Sequence, residues 1–428
     1  MNLPMEVKKY GDQIVVTFPA QMIGFGFEHF TERFGSVRAE LTVIYQPAAG
    51  ATEIMIGPAR IDLLNSREAN YLSKDLEAGR FRSFEWQELV TRACRAALMA
   101  QREIGNVVSA KDIPDPGTTS WLFDGLVPLG NTAILAAAGG SLKSYIAIGM
   151  CVSAASGVPL APGVLEPLRK VETLYLDWET CPEDYIMRVH QICRGMGLLD
   201  VPEGLHYLQM SRPISECGPY IRKIIDKRNI EMVVIDSIGA AAGGKIEESD
   251  AAIRIMNTIR EFGSCARLAL THITKAGADE KASRRTPFGS GYFQNLARTV
   301  WILENKGHPG EDEHLLALNN TKVNLGRQCL PLAIRAQFSP YDELNQQLTF
   351  SRADITQDVE LAAGAGTIVQ GIIAVLRQNG SATNKELEEI LEAKASTVRG
   401  TTNRLQDKGV IVRLPSGEWG LVDGRNHG

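Results

Sequence analysis

Four apolar stretches in the middle of this chain each end in a residue that carries chemistry. Residues 132–138 (TAILAAA) run into Gly139-Gly140-Ser141-Leu142 and then Lys143-Ser144. Residues 171–177 (VETLYLD) lead to Trp178-Glu179-Thr180, 230–236 (IEMVVID) end in an acid, and 266–271 (ARLALT) end at His272. Continuous apolar runs of this length are the pattern of strands buried on both faces. Helical patterns separate them, so the expected fold class is α/β with a parallel sheet. Ligands of such sheets bind beyond the carboxyl ends of the strands. That rule brings Lys143, Ser144, Glu179, Asp236 and His272 to one edge.

The first turn has the layout of a phosphate-binding loop. A polyphosphate is held where backbone N–H groups turn inward ahead of a helix N-terminus. Gly139 and Gly140 can take the positive φ that such a turn needs. Ala138, Gly139, Gly140, Ser141, Leu142, Lys143, Ser144 and Tyr145 therefore form the expected ATP-binding segment. Lys143 would reach the β and γ phosphates, and the Ser144 hydroxyl would ligate Mg²⁺. The usual pattern has glycine just before that lysine and five residues earlier, where this chain has Leu142 and Ala137. An ordinary strand–turn–helix with a chance Lys-Ser is the competing reading of the loop alone. The flanks favour the phosphate loop, because 143–156 (KSYIAIGMCVSAAS) suits a buried helix that Gly157 and Pro159 then stop.

The segments AAGGSLKS, LYLDWET, VVIDS, THITKAG and FGSGYFQNLARTVW together resemble RecA-like P-loop ATPases, especially the RepA-type plasmid replication helicases and their phage and mobile-element relatives. The resemblance covers 121–351. It implies a RecA-like P-loop NTPase core using ATP and Mg²⁺. By that resemblance Asp236 holds the Mg²⁺ shell, Glu179 is the base that orients the attacking water, and His272 is a sensor near the γ-phosphate. The chemistry agrees. Mg²⁺ is bound by a hydroxyl, one or two carboxylates and the phosphates, and a carboxylate within reach of water can act as base. Asp177 is a rival to Glu179, since strand alternation points both to one face; Glu179 is favoured because it lies beyond the strand end. Ring ATPases of this kind take a cation from the neighbouring subunit. Arg298 is one candidate. Lys322 is the other, in LNNTKVNLG, which resembles the KxRxG strand end of DnaB-type helicases with Asn324 in place of Arg. Each also reads as a surface charge.

Two loops follow the Asp236 and His272 strands. The first, 237–250, is small and reads as flexible. The second carries Lys275, Lys281, Arg284 and Arg285 against Asp279 and Glu280. In RecA-like proteins the equivalent loops face DNA, and a cationic loop suits phosphate-backbone contact. A solvated loop is the alternative.

The flanks differ in pattern. Residues 1–110 show strands at 13–18, 36–45 and 52–56 and helices at 66–77 and 84–104, an α+β module; 111–119 is a Pro/Gly linker before the 120–355 core. Residues 364–425 read as three helices and a hairpin, which resembles a winged helix-turn-helix. Its third helix would present Arg399 and Arg404 to DNA, although Lys and Arg barely outnumber Asp and Glu there. The net charge of −5 excludes a basic nucleic-acid coat, so DNA contact must come from local patches. Seven cysteines without close pairs argue against a zinc ribbon or disulfide frame and for a reducing, cytoplasmic setting. No run approaches the ~20 apolar residues of a membrane span.

The expected function is an Mg²⁺-dependent ATPase coupled to DNA, single-stranded by preference. It would be a ring-forming homo-oligomer, a hexamer by analogy, acting as a helicase-like motor in replication or mobile-element maintenance, with a protein partner for the N-terminal module. The alternatives are a filament-forming recombination or repair ATPase, and a slow-hydrolysing, ATP-gated DNA-binding regulator or scaffold.

Overall fold

The structure is a computed structural model. It describes residues 4–10, 13–33, 35–46, 52–78, 84–103, 108–115, 117–274, 286–289, 291–307, 310–340, 345–364 and 366–422. The chain divides into two compact units, the first built on residues 1–116 and the second on most of the remainder.

In the first unit, β1 (Glu6–Tyr10), β2 (Gln13–Phe18), β3 (Ile23–Arg33), β4 (Ser36–Tyr45) and β5 (Ile54–Asp62) pair in sequence order as an antiparallel meander. Alternation decides the register: Val37, Ala39, Leu41 and Val43 of β4 point inward and are buried. Helices α1 (Ser66–Ala78) and α2 (Trp86–Arg102) follow. The α2 stripe of Trp86, Leu89, Val90, Cys94 and Ala97 is buried in the same core as the inward residues of the sheet. β5 runs past the expected strand end at Ile56. Gly57 and Pro58 read as breakers, but β5 is an edge strand, where a missing N–H costs no ladder bond.

The second unit opens with β6 (Trp121–Phe123) and β7 (Val127–Pro128) and continues through β8 (Thr132–Ala137), α3 (Lys143–Ser156), β9 (Glu172–Asp177), α4 (Pro182–Gly195), β10 (Leu205–Gln209) and α5 (Ile214–Arg228). There follow β11 (Ile230–Asp236), α6 (Ile238–Ala241), α7 (Ser249–Arg260), β12 (Ala266–His272), α8 (Gly291–Leu296), β13 (Thr299–Asn305), β14 (Glu313–Val323), β15 (Leu332–Phe338) and β16 (Leu348–Arg352). Among the described residues these make one large sheet in the order β10-β9-β11-β12-β8-β13-β14-β15-β16. From β10 to β13 all pairings are parallel, and β14 to β16 add antiparallel strands. Every residue of β8 is buried, as its small apolar sequence requires. The mixed α/β architecture with a sheet dominated by parallel strands is consistent with a RecA-like P-loop core.

Downstream lie α9 (Val359–Gly364), α10 (Ile368–Asn379), β17 (Ser381–Ala382), α11 (Asn384–Ile390), α12 (Ala395–Asp407), β18 (Ile411–Arg413) and β19 (Trp419–Leu421). Thr367 and Thr383 start α10 and α11 with reciprocal capping boxes, using Gln370 and Glu386. Gly380, at φ 78°, ends α10. The three short strands pair as β17-β19-β18 over a core of Ile372, Val375, Leu387, Val398, Leu405 and Trp419. No helix among the described residues is long and apolar enough to cross a membrane.

The last turn of α4 lies against β16. Arg194 donates from Nε to the Gln346 carbonyl at 2.8 Å, and a Cβ on Gly195 would fall 1.9 Å from the Leu348 carbonyl oxygen. Backbone on both sides leaves nothing that can give way. Gly195→Ala should destabilise this unit by about 3 kcal/mol, the upper range for overpacking. A urea midpoint equal to that of the wild type would refute the close approach.

Candidate active site

The phosphate loop is built by β8 and α3. Ala138, Gly139 and Gly140 are exposed beyond the strand, while Ser141 and Lys143 turn back into the protein and are buried. Gly140 has φ +72° and supplies the left-handed turn. Leu142, at φ 64° and ψ 17°, takes the second left-handed position and caps α3. Its side chain is half-buried against the central core. The first-turn N–H groups of α3 have no intrahelical acceptor and face the loop opening.

Parallel register brings the other strand ends alongside. Asp236 is level with Asp177, and His272 is level with Ala137 at the start of the loop. Asp236 is 3% exposed and collects donors from two elements, α3 and β9. Ser144 Oγ donates to its Oδ2 at 2.7 Å, Tyr175 OH donates to the same oxygen at 2.6 Å, and Lys143 Nζ lies 3.4 Å from Oδ1. Burial and the adjacent Asp236 charge hold the Tyr175 phenol well above its usual range, so it stays a donor.

Asp177 and Glu179 separate clearly. Asp177 is buried and accepts the backbone N–H groups of Glu179 and Thr180 at 2.8 and 3.0 Å, together with the Thr180 hydroxyl at 2.5 Å. It also accepts from Tyr207 OH at 3.3 Å. Its lone pairs are occupied in building the turn that carries Glu179. Glu179 itself is exposed, and the Ser237 hydroxyl donates to its Oε1. The turn is tied further by Trp178 N–H to the Asp236 carbonyl, 2.8 Å.

His272 is exposed at the end of β12, and its carbonyl accepts Phe288 N–H at 2.6 Å. Thr274 N–H donates to the Thr286 carbonyl at 3.2 Å, closing the stem of the loop that follows. Lys275, Lys281, Arg284 and Arg285 lie outside the described residues. The 237–250 loop, expected to be flexible, begins with α6 and buries Ile246.

Arg298 and Lys322 come together, but at the amino end of β8 and β13, opposite the phosphate loop. Arg298 N–H donates to the Thr132 carbonyl at 2.9 Å, and its side chain is exposed. Lys322 is half-buried and its ammonium donates to the carbonyls of Gln294, Asn295 and Ala297 at 2.7, 2.8 and 2.9 Å. Those bonds close the C-terminal end of α8 and use all of the ammonium's N–H groups. Burial, then the nearby Arg298 charge, lower the Lys322 pKa. Lys322 is thus neither a solvated surface charge nor a free cation. Arg399 is exposed on α12, while Arg404 is exposed and bonded within its helix to the Gly400 carbonyl at 3.0 Å.

These residues fit a nucleotide with its cation. A Cβ on Gly139 or Gly140 would meet nothing within 4 Å, so the loop opens onto free space. The Ser141 hydroxyl is buried with no hydrogen-bond partner among the described residues, a donor awaiting an acceptor. Ser144 and Asp236 offer the hard oxygen donors that Mg²⁺ prefers, with phosphates and water completing its shell. The described residues contain no cluster of three acidic, His or Cys side chains that would form an all-protein metal cage.

Among known proteins, the family model described as an AAA domain matches residues 99–278. The geometry and this match together support a P-loop ATPase domain. No curated protein matches the sequence. Among solved structures, the KaiC-like protein PH0186 from the hyperthermophilic archaeon Pyrococcus horikoshii OT3 aligns at 14% identity with a TM-score of 0.36, covering 53% of this chain and 93% of that one.

Sequence reasoning missed Tyr175 and the Ser237 contact to Glu179. The available signal for the first was a phenol two residues before a strand-end acid, between two leucines of a buried strand. A left-handed leucine costs about 1 kcal/mol relative to glycine, and losing its half-buried side chain costs a similar amount. Leu142→Gly should therefore fold and bind ATP within about threefold of wild type, as measured by equilibrium nucleotide titration. Collapse of binding would show that the leucine side chain itself holds the loop.

Proposed function

We propose that this protein is an Mg²⁺-dependent ATPase whose hydrolysis is coupled to DNA, a ring-forming helicase-like motor in replication or mobile-element maintenance. The observation that carries the ATPase reading is the convergence of Lys143, Ser144, Glu179 and Asp236 beyond the carboxyl ends of parallel strands of one sheet. Lys143 leaves Asp236 to neutralise phosphate oxygens. Ser144 and Asp236 would hold the cation, whose chemistry when bound would be to neutralise charge on the phosphates. Glu179, steadied by Ser237, accepts a proton from the attacking water at its carboxylate. His272 is the γ-phosphate sensor in this reading, which is supported by its register with Ala137 at the start of the phosphate loop and by its backbone bond to Phe288 after the next loop.

A ring supplies a cation to each site from the neighbouring subunit, and such a group must lie away from its own phosphate loop. Arg298, exposed at the opposite sheet edge, meets that requirement better than Lys322, whose donors are occupied. The DNA reading draws on the α10–α12 and β17–β19 arrangement, three helices and a small three-stranded sheet that resemble a winged helix. Ser396, Thr397, Arg399, Gly400, Asn403 and Arg404 are exposed on α12, while Val398, Thr402 and Leu405 are buried. Short polar side chains and arginines on an outward helix suit a nucleic-acid groove. The regulator reading keeps one specific support: a strained non-glycine residue in the phosphate loop suits slow turnover.

Lys143→Ala should abolish nucleotide binding, whereas Glu179→Gln should bind ATP and hydrolyse it at least about a hundredfold more slowly. Single-stranded DNA should stimulate the wild-type rate. A wild-type rate indifferent to DNA would remove the motor reading, and unchanged hydrolysis in both variants would remove the site. The double variant Arg399→Ala/Arg404→Ala should lower DNA affinity and flatten its salt dependence by about two contacts. An unaltered salt slope in filter binding would take α12 off the DNA.

A further inference from the structure

We propose that Tyr175 is a positioning residue that sets the Mg²⁺ affinity of the site by fixing the Asp236 carboxylate; this rests on the ATPase reading above. Tyr175 OH and Ser144 Oγ both donate to Oδ2 of Asp236, at 2.6 and 2.7 Å, while Oδ1 faces Lys143 Nζ at 3.4 Å. Two donors approaching one oxygen, one from a strand and one from a helix, fix the orientation of the carboxylate. The oxygen left over is the one on the lysine side. It is released toward the cation's water shell once the ammonium turns to phosphate.

The phenol is held so that it cannot swing away. Tyr175 is 1% exposed and lies on β9 beside Val234 of β11, two residues before the Asp177–Asp236 register pair. Its ring centroid is 5.1 Å from that of Tyr185, which in turn is 4.3 Å from Tyr207. This stack orients the hydroxyl before any ligand arrives. The same stack contains its own control. The Tyr185 hydroxyl is also buried, yet it has no hydrogen-bond partner among the described residues. If the stack served packing alone, removing either hydroxyl would have the same consequence at the site. Groups that orient a ligand of a metal shell typically change metal affinity by about tenfold or more when removed.

The test compares full-length Tyr175→Phe and Tyr185→Phe, which keep both rings and therefore the stack. A fluorescent non-hydrolysable ATP analogue is titrated with Mg²⁺, and its binding is also measured in EDTA. Tyr175→Phe should raise the Mg²⁺ concentration at half-effect by roughly tenfold while leaving binding in EDTA unchanged, and its ATPase deficit should shrink as Mg²⁺ is raised. Tyr185→Phe should leave the Mg²⁺ half-point where it is in wild type. A wild-type Mg²⁺ half-point in Tyr175→Phe overturns the proposal, as does an equal shift in both variants, which would mark general loosening of the core. A wild-type protein that binds no nucleotide would overturn the ATPase reading and this proposal with it.

Discussion

A buried carboxylate with no compensation is among the most costly things a protein can contain. Asp236 is nearly inaccessible, so its surroundings must be organised around it. Ser144 reaches it from the first turn of α3, Tyr175 from β9, and Lys143 from the phosphate loop. The parallel register of β8, β12, β11 and β9 is what allows these groups to meet at one level. If β9 slipped by one residue against β11, Tyr175 would turn to the other face of the sheet. Both the hydroxyl on Asp236 and the turn that carries Glu179 would then be lost. The carboxylate therefore ties sheet register to chemistry. The buried lysine and the buried acid neutralise one another; in the ATPase reading proposed above, the lysine exchanges that partner for phosphate oxygens and the acid exchanges it for the cation.

The core was legible because its strands carry one signal at a time. β8, β9, β11 and β12 are short and largely apolar; β9, β11 and β12 each end in a polar residue and β8 runs into glycines, so their bounds in the structure fall within one residue of those expected from sequence. The helices α10 to α12 were legible for a similar reason: a threonine cap begins two of them and a glycine ends the first. β3 was not read at all. It buries Ile23, Phe25 and Phe27 with strict alternation, but glycines fill the outward positions. Its ladder is then interrupted between Glu28 and Thr31, with His29 at φ 55°. Glycines and a bulge erase the polar half of the pattern on which period-two recognition depends. At the site, Lys143, Ser144, Glu179 and Asp236 could be placed by strand order. The choice between Asp177 and Glu179 could not, because it depends on hydrogen bonds within the turn. Nor could the fate of Lys322, since a lysine bound to helix-end carbonyls has the same sequence as one in solvent.

The C-terminal elements join the core through specific contacts as well as chain continuity. Arg377 of α10 bonds Asp354 at 2.5 Å, just beyond β16, and Asp354 also accepts Thr356 N–H at 2.9 Å. The segment just beyond the sheet's last strand and helix α10 thus share one polar junction. An exposed ion pair of this kind adds little stability by itself. It does set an orientation, and orientation is what matters if the exposed arginines of α12 are to meet a nucleic acid at a defined place relative to the ATP site.

Leu142 shows how a phosphate loop can tolerate losing the glycine before its lysine. The backbone there must be left-handed, because the chain has to turn from β8 into α3 while its N–H groups stay directed inward. Glycine reaches that conformation freely and pays in disorder when no ligand is present. Leucine reaches it with strain, but its side chain packs beneath the loop against the central core, which offsets much of that strain. The outcome is a loop held near one shape before nucleotide arrives. Such a loop gives up adaptability, which is the physical basis of the slow-turnover alternative proposed above. The unusual residue is therefore best understood together with the Tyr175 stack behind Asp236, since both hold the site in place ahead of its ligand, one from the backbone side of the phosphates and the other from the cation side.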